Sequence, residues 1–490
     1  MPITNQPQLL LDRRARSAFA LGTSALGILL TAVGCSTTST TFVPKDDAND
    51  ASVGADAPDA AITDGGADAA DTGTAQPATS DAGPPPIQCV DAACAKSLVT
   101  TMLNANADGG FCALLADATV ACWGGNAHGE LGKALPFPNG TGAYSSGVPE
   151  RVAGLKDIVH LSHTCALDKD GAVWCWGQGP FLQSTNDAFS MTAPPVKLPI
   201  PTATHVDFMM GYFPPFQTVS NTGASANAVG CAVVAGDSVA CWGMNANGQV
   251  RPRTLNESAT AANPVTTVDI PDGAPIQDIF VAGATFVLRA DGTLLSWGAN
   301  VMLGRDSSLI PTDSRPRPVA LTGITYVDAE GGNACVVARG SVYCWGATNV
   351  DRQDPNLNPS DWDYSSAYSA TPRRVELPEL AVSVSTTAAF AGSSYFDPQR
   401  GCAVTLSGDV YCWGSNVSGQ AGDGTRDYAV NPVKVKGLPG PASIVRASSI
   451  TTCALLTTGK VYCWGENPTG ALGNGTTWEP SLAPVEVLLP

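Results

Sequence analysis

The chain has 490 residues, 44% of them apolar, and 43 acidic against 26 basic residues, for a net charge of −17. Such a chain can bury a large core. The acidic balance excludes a conventional nucleic-acid-binding protein, because phosphates call for a basic face, and it favours cationic partners instead.

Arg13, Arg14 and Arg16 precede an uncharged, mostly apolar stretch from Ser17 to Gly34, which ends at Cys35. This is the layout of a signal peptide over 1–34. Ala32-Val33-Gly34-Cys35 resembles a bacterial lipobox. The resemblance implies that Cys35 is lipidated and becomes the mature N-terminus, with Ser36 favouring the outer membrane. Export with a lipid anchor as the only membrane contact is therefore expected. Residues 35–88 form the next segment, rich in Ala, Asp and Pro, with nine Asp between Asp46 and Asp81 and one Lys. It can form almost no core and reads as a disordered acidic tether.

The segment 89–490 holds 22 basic and 33 acidic residues, a net charge of −11. One phrase recurs through it: a cysteine, a short apolar run, a turn, a second cysteine, then Trp-Gly. The pairs are Cys112 and Cys122, Cys165 and Cys175, Cys231 and Cys241, Cys335 and Cys344, Cys402 and Cys412, and Cys453 and Cys463. A seventh copy, 286–298, has Phe286 and Ser296 where the cysteines would stand. Each phrase reads as a β-hairpin, with Gly171, Gly292, Gly408 and Gly459 suited to the left-handed position of a three-residue turn. Ala118 and Asp237 suit it less well. Counting outward from the turn, the two cysteines face each other on a non-hydrogen-bonded site, where opposite strands approach most closely. The 335–344 copy is one residue shorter, and its two-residue Arg339-Gly340 turn keeps Cys335 opposite Cys344. Six cross-strand disulfides follow, in an exported chain that permits them. Cys89 and Cys94 remain and are expected to pair locally. The spacing does not suit zinc, and no metal or cofactor is expected.

A second phrase, Pro-x-x-Val or Pro-Val-x-Val, precedes each hairpin after the first, and a last copy, PVEVLL, ends the chain from 484. With about four strands per unit and Trp-Gly recurring every 48 to 68 residues, the sequence predicts an all-β fold, a seven-bladed β-propeller over 89–490. The C-terminal strand is expected to complete the first blade and close the ring. The cysteine hairpins are read as third and fourth strands.

CWGGNAHGELG (122–132), CWGSNVSGQAGDG (412–424) and CWGENPTGALGNG (463–475) resemble the W-G-x-N-x-x-G-x-L-G signature of the regulator of chromosome condensation (RCC1) repeats. That resemblance spans 95–490 and implies the propeller fold. Activities in the family range from nucleotide exchange on a GTPase to inhibition of a β-lactamase, so the fold does not fix the function.

Three long inserts, 208–230, 347–372 and 388–401, fall on the face opposite the cysteine turns. They carry Tyr212, Phe213, Phe216, Trp362, Tyr364, Tyr368, Tyr395 and Phe396, aromatic side chains of the kind that anchor partners. A monomer binding a protein or glycan partner through that face is expected. The alternatives are a guanine-nucleotide exchange factor-like regulator of a small GTPase and a propeller enzyme acting on polysaccharide. His160 and His163 lack a third metal ligand, and no catalytic set stands out. The Trp of each Trp-Gly pair reads as packing between blades.

Overall fold

The computed structural model describes residues 83–89, 93–101, 109–133, 145–182, 190–213, 225–253, 262–305, 312–346, 369–387, 390–391, 396–397 and 400–490. Cys35 and the tether up to residue 82 lie outside these residues, and its last part, 83–88, is described. Seven four-stranded antiparallel blades stand in a ring, a β-propeller.

In chain order, the first blade is Ala95–Thr100, Gly110–Leu115, Val120–Gly124 and Ser146–Arg151; the second is Ile158–Ser162, Cys165–Asp168, Val173–Gly179 and Ser190–Lys197. The third is Ala203–Phe213, Ser225–Val234, Ser238–Gly243 and Asn263–Val268. The fourth is Ile276–Val281, Ala284–Arg289, Leu294–Ala299 and Thr312–Pro318, and the fifth Ile324–Glu330, Asn333–Ala338, Ser341–Gly346 and Ser369–Val375. The sixth is Ala381–Thr386, Arg400–Thr405, Val410–Gly414 and Ala429–Lys434, and the seventh Ala442–Ala447, Thr451–Leu456, Val461–Gly465 and Ser481–Glu486. In every blade the strands pair in sequence order, from the inner strand at the axis to the outer strand.

This order corrects two expectations. The cysteine hairpin joins the second and third strands, not the third and fourth. Each Pro-Val strand is the outermost strand of the hairpin before it: Ser146–Arg151 pairs with Val120–Gly124. The C-terminal strand therefore completes blade seven, Cys463 opposite Val485, and does not enter blade one. The ring closes by packing. Val487, just past that strand, lies in one apolar cluster with Leu98, Phe111 and Trp123 of blade one and Leu455 and Leu472 of blade seven.

The cysteines of each hairpin face each other. Cys335 opposes Cys344 across the two-residue turn as Cys165 opposes Cys175 across the three-residue one. All six pairs are disulfide-bonded with Cα atoms 4.0 to 4.1 Å apart, the spacing of a non-hydrogen-bonded pair, and Cys89 is bonded to Cys94. Ala118 and Asp237 adopt the left-handed conformation that glycine takes elsewhere, at φ 62° and 57°. In blade four, Phe286 stands opposite Ser296 and replaces the covalent link with a buried ring edge-on to Trp345, centroids 5.9 Å apart. Ser296 donates to the Leu303 carbonyl at 2.7 Å.

The tryptophans are seam residues. Trp123, Trp176, Trp297, Trp345 and Trp464 are buried and donate their indole N–H to carbonyls of the preceding blade, those of Ala471, Glu130, Gln249, Met302 and Gln420, at 2.6 to 2.9 Å. Trp242 does the same to Pro180. Four of these acceptors, Glu130, Gln249, Gln420 and Ala471, lie inside a loop closed by an asparagine. Asn126, Asn245, Asn416 and Asn467 accept, through Oδ1, the backbone N–H five residues later, at 2.8 to 3.0 Å. The glycine ending the loop has no room for a side chain: a Cβ at Gly304, φ 67°, would lie 2.7 Å from the Trp345 ring.

Candidate functional site

A sheet's end strand leaves a row of backbone N–H and C=O groups unpaired. In this ring the seven inner strands turn that row toward the axis. Seven residues share one register position there, each opposite the first hairpin cysteine or its replacement: Val99, Ser162, Asp207, Phe280, Asp328, Ser385 and Arg446. Several of them satisfy the unpaired groups of the next blade. The Val281 N–H donates to Asp207 at 2.6 Å, the Thr386 N–H to Asp328 at 2.7 Å, and the Ala447 N–H to Ser385 at 3.1 Å. Ser162 donates to Asp207 from the other side.

Blade one offers only Val99 at this level and is held by cations from both neighbours. Arg446 of blade seven donates through Nε to the Leu98 carbonyl at 3.1 Å, and lies 3.6 Å from the Asp328 carboxylate. His163 of blade two donates through Nδ1 to the Thr100 carbonyl at 3.1 Å, while its Nε2 faces Asp207 at 3.7 Å. Burial opposes charge on His163, yet the Asp207, Glu330 and Asp328 carboxylates and the Thr100 carbonyl more than offset it, so its pKa is raised from the ordinary imidazole value. Burial pushes Asp278 up to about 7. Burial, then the neighbouring Asp328 and Asp207, push Glu330 to about 7 against the pull of His163 and Arg446.

His160 and His163 do not converge. His160 sits edge-on to His205, centroids 5.5 Å apart, and burial lowers it to about 4. Among the described residues no three His, Cys, Asp or Glu side chains are grouped to hold a metal ion.

The other candidate surface is the face where inner strands pass to second strands and third strands to outer strands. The connections between blades, and the cysteine turns, lie on the opposite face. The strand ends that the three long inserts join lie at the first face, although those strands are numbered one earlier than expected. Blade three projects from it. Its inner strand runs to Phe213, opposite Ser225, whereas the inner strand of blade four ends at Val281, one residue past the shared register position. The extra length is roughly 17 Å at about 3.4 Å per residue. Tyr212 and Phe213 lie on this extension, and Phe396 on a two-residue strand opposite Ala391. Phe216, Trp362, Tyr364, Tyr368 and Tyr395 lie outside the described residues. Phe208, in the first insert, is a core residue, 1% exposed and edge-on to Phe181.

Sequence reasoning missed Trp478. It lies on this same face, between the third and outer strands of blade seven, 78% exposed. Its backbone is left-handed at φ 63°, rare for a bulky residue, and its N–H donates to the Asn467 carbonyl at 2.6 Å. The only sequence signal was a tryptophan outside the Trp-Gly pattern.

The family model for the regulator of chromosome condensation (RCC1) repeat matches residues 161–183, 398–420 and 447–470. A curated relative, the human E3 ubiquitin-protein ligase HERC2, is 28% identical over 240 residues, 39% of this chain. The chain spans about 5% of that relative's length. Among solved structures, human WBSCR16 superposes with a TM-score of 0.57 at 18% identity, over 76% of this chain and 95% of its own. Prp20p from Saccharomyces cerevisiae, described with its binding to Gsp1p and histones, gives 0.54 at 18% identity, over 75% of this chain and 85% of its own. These likenesses show the fold.

Proposed function

We propose that this chain, an RCC1-repeat propeller, is a binding scaffold exported to the cell envelope, held there by lipidated Cys35 and the acidic tether, that takes a protein partner on its insert-bearing face. The observation that carries the reading is one-sidedness. The extended hairpin of blade three, the strand ends that the three inserts join and exposed Trp478 all belong to one face, while the opposite face offers short cysteine turns and blade-to-blade connections. Variable loops on a rigid frame are the usual place for recognition. Seven disulfides suit an oxidising compartment. Prp20p, of like fold, is a protein described by its protein partners, which supports binding of a protein over a glycan.

The axial carboxylates support a structural role over an enzymatic one. Asp207 and Asp328 are occupied by backbone N–H groups of the next blade. The test is capture from solubilised envelope with the full chain, beside a Trp362→Ala/Tyr364→Ala/Tyr368→Ala variant. Loss of the captured partner is expected. Retention by a folded triple variant, or recovery of the chain from the cytosol in reduced form, overturns the reading.

A further inference from the structure

The polar groups at the axis are not all matched. Glu330 is the last residue of its inner strand, two beyond Asp328, and so stands at the mouth of the channel on the insert-bearing face. It accepts no hydrogen bond from any described residue. Directly across the turn is Asn333, its register partner, which is 0% exposed. Asn333 gives its amide N–H to the Thr387 carbonyl at 2.7 Å, and its Oδ1 is left with no donor. Two acceptors at one turn thus lack donors. The nearby cations are already engaged, Arg446 by Leu98, Asp328 and the Tyr326 ring, and His163 by Thr100 and Asp207.

Beside Glu330 lies a cavity of about 10 Å³, lined also by His163, Phe208, Met209, Met210, Val281 and Gly331. That is room for one water-sized group. An ammonium is that size, carries three donors and no acceptor, and trails an apolar stem that suits methionine walls. A guanidinium, with its five-donor planar fork, is too large.

We propose that the mouth of the axial channel on the insert-bearing face receives a lysine side chain of the protein partner, with Glu330 as its counter-charge. The proposal rests on the binding reading above and names the chemistry of the partner. The net charge of −11 over 89–490 draws a basic partner to the molecule, and the mouth opens on the face that carries the inserts. An unmatched carboxylate in a half-buried site is held back from ionising, as the rise of Glu330 to about 7 shows, and an ammonium relieves that cost. The affinity therefore rises with pH as Glu330 ionises.

The experiment titrates the full chain with an acetylated tetralysine peptide, with tetraarginine and tetranorleucine as companions. Tetralysine is expected to bind more tightly than tetraarginine, tetranorleucine not at all, and binding should tighten from pH 6 to 8. Glu330→Gln should weaken it at least tenfold and Glu330→Asp should keep part of it, with unchanged circular dichroism and melting temperature. Glu379→Gln, an exposed site on the opposite face, should leave it unchanged. Failure of the parent chain to bind tetralysine overturns the proposal, as does parent-like binding by a folded Glu330→Gln variant. Equal weakening by Glu379→Gln overturns it too, since bulk charge would then explain the binding. If Glu330→Gln changes nothing while the Trp362/Tyr364/Tyr368 variant loses its envelope partner, the lysine site falls and the binding face stands. If tetralysine binds as expected and the triple variant keeps its partner, the lysine site stands and the insert face falls.

Discussion

The indole N–H of Trp345 donates to the Met302 carbonyl 2.6 Å away, across the seam from blade five to blade four. The same bond recurs at five other seams, so six of the seven Trp-Gly pairs carry a donor to the preceding blade as well as a large buried ring. Trp345→Phe should keep most of the packing and leave the carbonyl unpaired. A loss of about 1–3 kcal/mol is expected by denaturant unfolding, and a change under 0.5 kcal/mol would show that water replaces the indole.

Blade four permits a restoration test. Phe286→Cys with Ser296→Cys places thiols on the facing pair that carries a disulfide elsewhere. The bond should form, as thiol titration under denaturing conditions will show. It should not stabilise the chain, because losing a buried Phe costs roughly 3–5 kcal/mol against roughly 2–4 gained from the cross-link. A higher melting temperature would show that the ring at 286 contributes less packing than its burial indicates.

Arg400 is 2% exposed and links blade six to blade seven, donating to the Thr451 carbonyl at 2.6 Å and also to the Ser448 carbonyl. Arg400→Met should cost at least about 3 kcal/mol, since two buried carbonyls lose charged donors. Hydrogen exchange should locate the loosening at the seam between blades six and seven.

The pH dependence has a definite sign at Asp278. Its carboxyl binds a proton more tightly folded than unfolded, about 7 against 3.8. Between those values the folded state holds more protons, so this group lowers stability as pH rises through the window. Asp278→Asn removes that penalty. The melting temperature of the variant relative to the parent should climb by a few degrees from pH 4 to 7 and level off above. A flat difference across the window would show that water solvates the carboxylate.

Trp478 separates recognition from stability. Being 78% exposed, it supports little core, so Trp478→Ala should leave unfolding within 0.5 kcal/mol of the parent, roughly the range for a surface change. The same variant should reduce capture of the envelope partner. Unchanged capture would remove this residue from the binding face.

Much of the frame was legible because the hairpin phrase fixes its own register. Cys335 and Cys344 could be set opposite each other from turn length alone, and Gly171 or Gly459 marked the turn. The error in ring closure has a plain cause. A strand between two hairpins can belong to either one, and only the ladder of Val485 on Cys463 shows that it pairs backward. The axial belt was illegible for a different reason. Val99, Ser162, Asp207, Phe280, Asp328, Ser385 and Arg446 share no chemistry, and their distance from the hairpin ranges from 3 residues at Ser162–Cys165 to 24 at Asp207–Cys231. Their equivalence is a property of strand pairing. Glu330 likewise became a candidate only when its missing donors could be seen.

Blade seven is built wholly from its own consecutive strands, so the seam between blades seven and one uses the same indole bond and apolar packing as the others. The Gln88 N–H bonds the Thr457 carbonyl and the Leu488 N–H bonds the Gly473 carbonyl, so the segments that lead into blade one and out of blade seven both rest on blade seven. Nothing topological distinguishes that seam as an origin. A circularly permuted chain, with a short linker from Pro490 to Gly83 and new termini opened at Lys156 between blades one and two, should assemble the same ring.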